Sequence, residues 1–368
     1  MNVRQWLLLA ALPLWFGCKT PAPTPTPGPT ESRPTSGAVS SGSAETPSSQ
    51  TEASQGPSSS QAIAAPTNAG PFLRVTRPRT NITELQVAVR QFVPAGRSQP
   101  VVWLAGVSHV GESNYYARLQ KLLDAQELVL FEGVTDRASR AAGRKVFDNS
   151  KEELGSLQNT MAESLGLAFQ LGAIDYERPN FRNSDLTIEQ IAQLIAKEAP
   201  PGGKPSKTAQ EFQKMLEMMQ GDSFIGALVS AGMKLIGTNP KLQALMKLAM
   251  IEVLGRFKGD MSQFEGLPPE WKRLIEILLR ARNDVVLKDL QVELRKRAPA
   301  KSIAIFYGAA HMEDLQRRLT AEMHYRPAGE QWFPAFSVDL QKAQVTDAEL
   351  AFVQSLVDWQ MKMLEQRE

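Results

Sequence analysis

The sequence predicts an α/β fold: a central mixed, largely parallel sheet flanked by helices, with a long all-helical insertion at about 187–297. Three observations carry this. Apolar runs of strand length stand at 101–105 (VVWLA), 128–131 (LVLF) and 303–307 (IAIFY), each unbroken, as strands buried on both faces require. The first two are separated by a helical pattern with Tyr116, Leu119 and Leu123 on one face, giving a β-α-β unit whose crossover suits a parallel pair. From about 208 to 297 the period is helical throughout.

The 368-residue chain opens with Arg4, an apolar core from Trp6 to Phe16, then Gly17 and Cys18. That pattern reads as a signal peptide over 1–17, too short to span a bilayer comfortably. With Cys18 as the chain's one cysteine and a polar tract behind it, the arrangement resembles a bacterial lipoprotein signal. In such signals the cysteine is lipidated, which implies a membrane anchor in the bacterial cell envelope; simple secretion and an uncleaved anchor remain open. The chain has no second cysteine for a disulfide, so the fold must rest on its core. Residues 18–71 are rich in Pro, Ser and Thr, and from Lys19 to Gly70 there is no aromatic residue, Leu or Met. Such a stretch cannot offset its ordering entropy by burial and is expected to be a disordered tether. Its r.m.s. reach is on the order of 40 Å. A formal net charge of +2 gives no reason to expect nucleic acid as a partner.

The folded domain is expected over 72–368. Alternation at 85–92 predicts a strand turned by Pro94-Ala95-Gly96, ahead of the run at 101–105. A helix over about 152–171, closed by Gly172, precedes a short parallel strand expected at 173–176. Thr187 opens the next helix. The insertion carries Met215, Met218, Met219, Met233, Met246, Met250 and Met261, which suit either an ordinary core or an adaptable lid over a binding surface. Within it, 224–236 is expected to be a buried helix. After the run at 303–307 come an amphipathic helix at 313–323, a last short strand at 336–338, and a C-terminal helix opened by the Thr346/Glu349 capping box.

Two of the three histidines stand in the same phrase. The strand at 101–105 leads to Gly106-Val107-Ser108-His109, and that at 303–307 to Gly308-Ala309-Ala310-His311; between them 128–131 ends at Glu132-Gly133. In open α/β sheets ligands bind beyond the carboxyl ends of the strands, so these three side chains are expected to face one cleft. Two imidazoles and a carboxylate suit a catalytic divalent metal with open positions, which polarises a carbonyl or phosphoryl oxygen and activates water. A metal-free alternative uses a histidine as general base, the glutamate as orienter or acid, and an arginine against developing negative charge. A carboxylate after four apolar residues is costly unless paired, so a site role for Glu132 is expected, with a structural ion pair as the alternative. The third histidine, His324, has no matching phrase and reads as a surface or helix-capping residue.

The phrases LAGVSHVGES, LVLFEGV and FYGAAHMEDL resemble the TraB/GumN family, which includes the TIKI proteases and whose hallmark is two Gly-x-x-His motifs flanking a strand-borne Glu. LGLAFQLGAIDYERPNFRNSDLT is similar to its middle section, and Arg282-Asn283 to its Arg-Asn phrase, so the likeness spans about 82–340. The resemblance implies the α/β fold shared with erythromycin esterases and ChaN-like haem-binding lipoproteins. It implies a metal-dependent, peptidase-like hydrolase acting on a peptide or small molecule. His109, Glu132 and His311 would hold a divalent ion such as Mn, Co or Zn; Glu132 and Asn283 would line the reaction centre, with Arg282 as an anion clamp. A metal-free esterase and a non-catalytic haem or ligand binder are the alternatives it leaves. By pattern alone Arg282 and Asn283 fall on a helix and read as a solvated face or salt bridge. Ser108, Asp175, Tyr176 and Arg178 are expected to support the centre from behind, or to form a structural network. The family's commoner first phrase is Gly-Thr-x-His; here Val107-Ser108 move the hydroxyl by one position, and 204–270 is individual to this chain.

Overall fold

The computed structural model describes residues 70–96, 100–135, 157–197, 204–220, 224–256 and 268–365. The expected leader, Cys18, nearly all of the tether and Met261 lie outside them. The fold is α/β, a seven-stranded mixed sheet with helices on both faces. Its antiparallel part is β1 (Leu73–Arg79), β2 (Ile82–Pro94) and β9 (Tyr325–Asp339), with β2 pairing both of the others. β2 also pairs antiparallel with β3 (Val101–Val107), which begins the parallel part. There β8 (Ser302–Gly308) lies between β3 and β5 (Leu128–Phe131), and β7 (Phe181–Asn183) follows β5. A separate ribbon pairs the two-residue strands β4 (Val110–Gly111) and β6 (Ala168–Phe169).

The unbroken apolar runs have the cause expected of them. Across β3, β8 and β5 the registered trio Ala105, Phe306 and Phe131 enters one core, and its neighbours Leu104, Ile305 and Leu130 enter the other. Helices cover the two faces, starting with α1 (Ser113–Asp124), which buries Tyr115, Tyr116, Leu119 and Leu123. Next come α2 (Leu157–Ser164), α3 (Gln170–Ala173), α4 (Ile188–Ala196), α5 (Lys207–Gln220), α6 (Phe224–Gly237) and α7 (Pro240–Arg256). α8 (Pro269–Glu276) runs into a π-helical turn, Ile277–Ala281, and then α9 (Arg282–Leu294). α10 (Met312–Ala321) follows β8, and α11 (Asp347–Glu365) ends the described chain. Thr187 and Gln190 close a reciprocal capping box on α4, and Thr346 and Glu349 do the same for α11.

Several boundaries differ from those expected, each for a local reason. The helix expected to Leu171 stops at Ser164, because Gly166 takes φ +63° and lets the chain double back into β6. Residues 173–176 form no strand; the strand is β7, whose Arg182 and Asn183 hide it from an apolar-run search. The last strand is 15 residues long rather than three, since register shifts let β9 carry Pro327 and Pro334 along β2. α6 is not buried over its second half: Leu235 is 69% exposed. Among the described residues no helix is long and apolar enough to cross a membrane. Met250 is buried and Met233 and Met246 pack against the core, so these three behave as filler.

Candidate functional site

β8 delivers its carboxyl end between those of β3 and β5, so Gly308 arrives between His109 and Glu132, with His311 three residues beyond it. All three are buried, with 2%, 3% and 0% exposure for His109, Glu132 and His311. His311 Nε2 lies 3.7 Å from Glu132 Oε1. The gap between them is bordered by Gly308: a Cβ there would sit 3.1 Å from His109 Nε2 and 3.3 Å from Glu132 Oε2. Both Nε2 atoms are buried without a hydrogen-bond partner. The structure thus brings the three side chains to one place.

Glu132 has its charge balanced from two sides. The Gly308 N–H donates to Oε2 at 2.6 Å, and Arg282 Nη2 donates to Oε1 at 2.6 Å. Burial alone would raise the carboxyl pKa; Arg282 first, then the two imidazoles and the Gly308 N–H, outweigh it and hold the pKa at about 2. Arg282 is wholly buried and also clamps Asp185, Nε to Oδ1 at 2.9 Å and Nη2 to Oδ2 at 2.7 Å. Asp185 in turn accepts from the Gly133 N–H at 2.9 Å, tying the turn after Glu132 to β7. Arg282 is therefore a counter-ion between two carboxylates, so of the two plain readings it is the salt bridge and not the solvated helix face.

The π turn before α9 explains how a helix turns two adjacent polar residues inward. One widened turn shifts the helical register, a feature that recurs at functional sites. Arg282 then reaches Glu132 while Asn283, also fully buried, reaches the other histidine. Asn283 Nδ2 donates to Asp314 Oδ2 at 2.8 Å, and its Oδ1 stands 2.8 Å from His311 Nδ1. A carboxylate can only accept, so Asp314 fixes which way the amide points, and His311 must carry its proton on Nδ1. Nε2 is left with a lone pair. Burial, then the Arg282 charge against an opposing pull from Glu132, lowers the His311 pKa to about 4, so the ring is neutral at pH 7.

His109 is held from the ribbon side. Its Nδ1 is 2.5 Å from Gln170 Oε1, and Gln170 Nε2 donates to the Tyr176 hydroxyl at 2.7 Å. Ser108 holds the turn: its Oγ donates to Val110 O at 2.7 Å, its N–H donates to the Tyr115 hydroxyl at 3.1 Å, and its carbonyl accepts from Tyr116 at 2.8 Å. Ser108 and Tyr176 thus do back the site. Asp175 and Arg178 do not: both are about half exposed and pair with each other at 3.3 Å, Arg178 also meeting Asp124 at 3.4 Å. They belong to the surface, the counterpart of the misplaced strand.

Sequence reasoning missed Gln170, Asp185 and Asp314. Asp185 was reachable, since it follows the carboxyl end of a parallel strand as Glu132 does; the polar strand β7 concealed it. Gln170 and Asp314 carry no signal without the fold, each being one polar residue on an amphipathic stretch.

The donor set fits a divalent ion: two imidazoles whose Nε2 atoms have no hydrogen-bond partner, a carboxylate ionised at neutral pH, and a space at Gly308 that a methyl group would fill. Among the described residues, no three His, Cys, Asp or Glu side chains stand as a ready-made metal shell. The geometry gives a reason, because both Glu132 oxygens are drawn to Arg282 and to the Gly308 N–H. Comparison with protein-family models, with curated proteins and with solved structures found no match.

Proposed function

We propose that this chain is a metal-dependent hydrolase of peptidase-like character, with His109, Glu132 and His311 holding the ion. One observation carries the reading: two buried imidazole Nε2 atoms, neither with a hydrogen-bond partner, stand around a buried carboxylate and the space at Gly308. Left alone, both nitrogens stay unsatisfied; a cation relieves that. When bound, the ion would supply Lewis acidity toward a substrate carbonyl and a lowered pKa for water. The chain's own groups do the rest. Arg282 and the Gly308 N–H keep Glu132 ionised. Asn283 holds the His311 proton on Nδ1, away from the site. Such outer partners typically govern 10–100-fold in metal affinity or activity, by the general record of such sites. The motifs shared with the TraB/GumN family support the same reading and point to peptides or small molecules as substrates. The leader and Cys18 add a lipid-anchored location in a bacterial envelope.

The commitment of Arg282 to Glu132 and Asp185 counts against the metal-free alternative, which needs an arginine turned toward substrate. The test is metal analysis of the full chain purified without chelator, with Mn, Co and Zn each offered, alongside a His109→Ala/His311→Ala double variant. About one divalent ion per chain, lost in the double variant, with peptide cleavage abolished by chelator, is expected. A chain that takes up none of the three ions overturns the reading. So does hydrolysis that persists in chelator.

A further inference from the structure

Gln170 follows a two-residue strand with no obvious structural weight of its own. The ribbon pairs Val110 with Phe169 and Gly111 with Ala168. His109 immediately precedes one strand and Gln170 immediately follows the other, so the pairing sets the two residues face to face. The Gln170 N–H donates to the His109 carbonyl at 2.8 Å, which locks the backbones, and the Oε1–Nδ1 contact of 2.5 Å locks the ring. Gln170 is 2% exposed, out of reach of competing water. Its nitrogen is anchored by Tyr176, whose ring packs 5.0 Å from Phe131 and 6.3 Å from Phe306, centroid to centroid. Those are the strand residues that lead to Glu132 and toward His311. The anchor of Gln170 is thus built on the same strands as the site.

We infer that Gln170 is a positioning residue: held by Tyr176, its amide oxygen keeps the His109 proton on Nδ1 and so turns a free Nε2 lone pair toward Glu132. An amide suits the task better than a carboxylate. Glu132 and Asp185 already bring two buried carboxylates against one Arg282, and a third acid would add charge to a buried site. Asn283 does the same for His311 with the same functional group, from a different element. The inference rests on the metal reading for its purpose, though not for its test.

The test exploits the presence of only three histidines in the chain. The full chain is labelled with 15N-histidine, stripped with chelator and examined near pH 8, where a ring's protonated and lone-pair nitrogens have distinct shifts. His109→Ala assigns the signal. In the wild type, His109 is expected to show a protonated Nδ1 and a lone-pair Nε2. Gln170→Leu should move the proton toward Nε2, the side that carries the Glu132 charge, leaving His311 unchanged. Gln170→Glu should restore the wild-type tautomer, and Tyr176→Phe, which frees the amide to reverse, should give a mixture. If Gln170→Leu fails to fold, the Glu and Tyr176→Phe variants decide. Calorimetric titration with Zn2+ or Mn2+ alone should then show binding weakened about 10–100-fold in Gln170→Leu and not in Gln170→Glu, the range typical of outer partners. A wild-type ring with its proton on Nε2, as the reversed amide would impose, overturns the inference. A tautomer indifferent to Gln170 and to Tyr176 does so too. Tautomers that respond as expected in a chain that binds no metal would leave Gln170 its role and remove the metal reading instead.

Discussion

Gly106 and Gly308 each stand three residues before a histidine, in phrases that look like copies. A methyl group added at Gly106 would meet Ala88 O and Val87 Cγ1 at 3.2 Å and Met312 Cγ at 3.3 Å, all packing of neighbouring elements. One added at Gly308 would meet His109 Nε2 and Glu132 Oε2. The first glycine lets β3 sit against its neighbours; the second keeps the space between the site's side chains open. Their histidines differ in the same way. His109 is fixed from the ribbon by Gln170, while His311 is fixed from α9 by Asn283, whose neighbour Arg282 also serves Glu132. A repeated phrase therefore marks a shared position, at the end of a strand, and not a shared environment.

The sharpest difference lies in α9, where one arginine carries the charge balance of the site. Replacing Arg282 with Met would leave Glu132 and Asp185 buried without their cation. Breaking a buried pair by removing one partner typically costs about 3–5 kcal/mol. Urea unfolding should show a loss of that size, far larger than for Arg178→Met in the exposed pair, expected within about 1 kcal/mol. Equal losses would mean that the site does not depend on the buried triad.

Acidification should affect the metal-free chain in two successive windows. An unfolded imidazole binds its proton near pH 6.5, whereas folded His311 does so only near 4, so between those values the unfolded chain binds more protons. Stability is then complete above about 6.5 and falls as pH drops toward 4, by about 3 kcal/mol for His311. Glu132 acts below that, its contribution being lost as pH falls from 4.5 through about 2. Unfolding free energies of the chelated wild type at pH 7, 5.5 and 4.5 should fall steeply, and those of His311→Gln should fall less. Parallel slopes would break the claim that the burial of His311 sets the first window.

Much of this was legible before the fold. The runs at 101–105, 128–131 and 303–307 gave three neighbouring strands because a strand covered on both faces must be apolar at every position. Their carboxyl ends then named His109, Glu132 and His311. The same rule misled at 173–176, where Ala173 ends helix α3, the next three residues are irregular, and the real strand, Phe181–Asn183, is mostly polar. That single misplacement turned attention to exposed Asp175 and Arg178 and away from Asp185. Arg282 and Asn283 were reached through the resemblance and not through periodicity: a π turn changes which face a residue occupies, and it leaves no pattern to read. Gln170 depends on a two-residue ribbon, shorter than any pattern can resolve.

The two glycines give the next test in size. Gly106→Ala should cost about 1–3 kcal/mol through overpacking, because backbone oxygen and core side chains must give way. Gly308→Ala should be milder in stability, since its φ of −50° suits alanine and its neighbours are the ends of side chains. Yet it should weaken Zn2+ binding in calorimetry by at least about 10-fold, on the scale of lost outer contacts, because the methyl occupies the space facing His109 Nε2. The reverse pattern, with metal binding lost at 106 and kept at 308, would sink the assignment of roles.

The smallest effect is expected at Ser108, where this chain departs from the commoner Gly-Thr-x-His phrase. Its hydroxyl is spent on Val110 O, one residue past His109, and it does not face Glu132 in any described contact. Ser108→Ala should therefore remove one neutral hydrogen bond and cost about 1 kcal/mol in urea unfolding. Metal affinity should stay within a few-fold of wild type, because Tyr115 and Tyr116 still grip the backbone of residue 108 from both sides. A loss of metal binding as large as that at Gly308 would mean the hydroxyl reaches the reaction centre. The shifted position of the hydroxyl would then be part of the chemistry, and the two histidine phrases would differ in function as well as in surroundings.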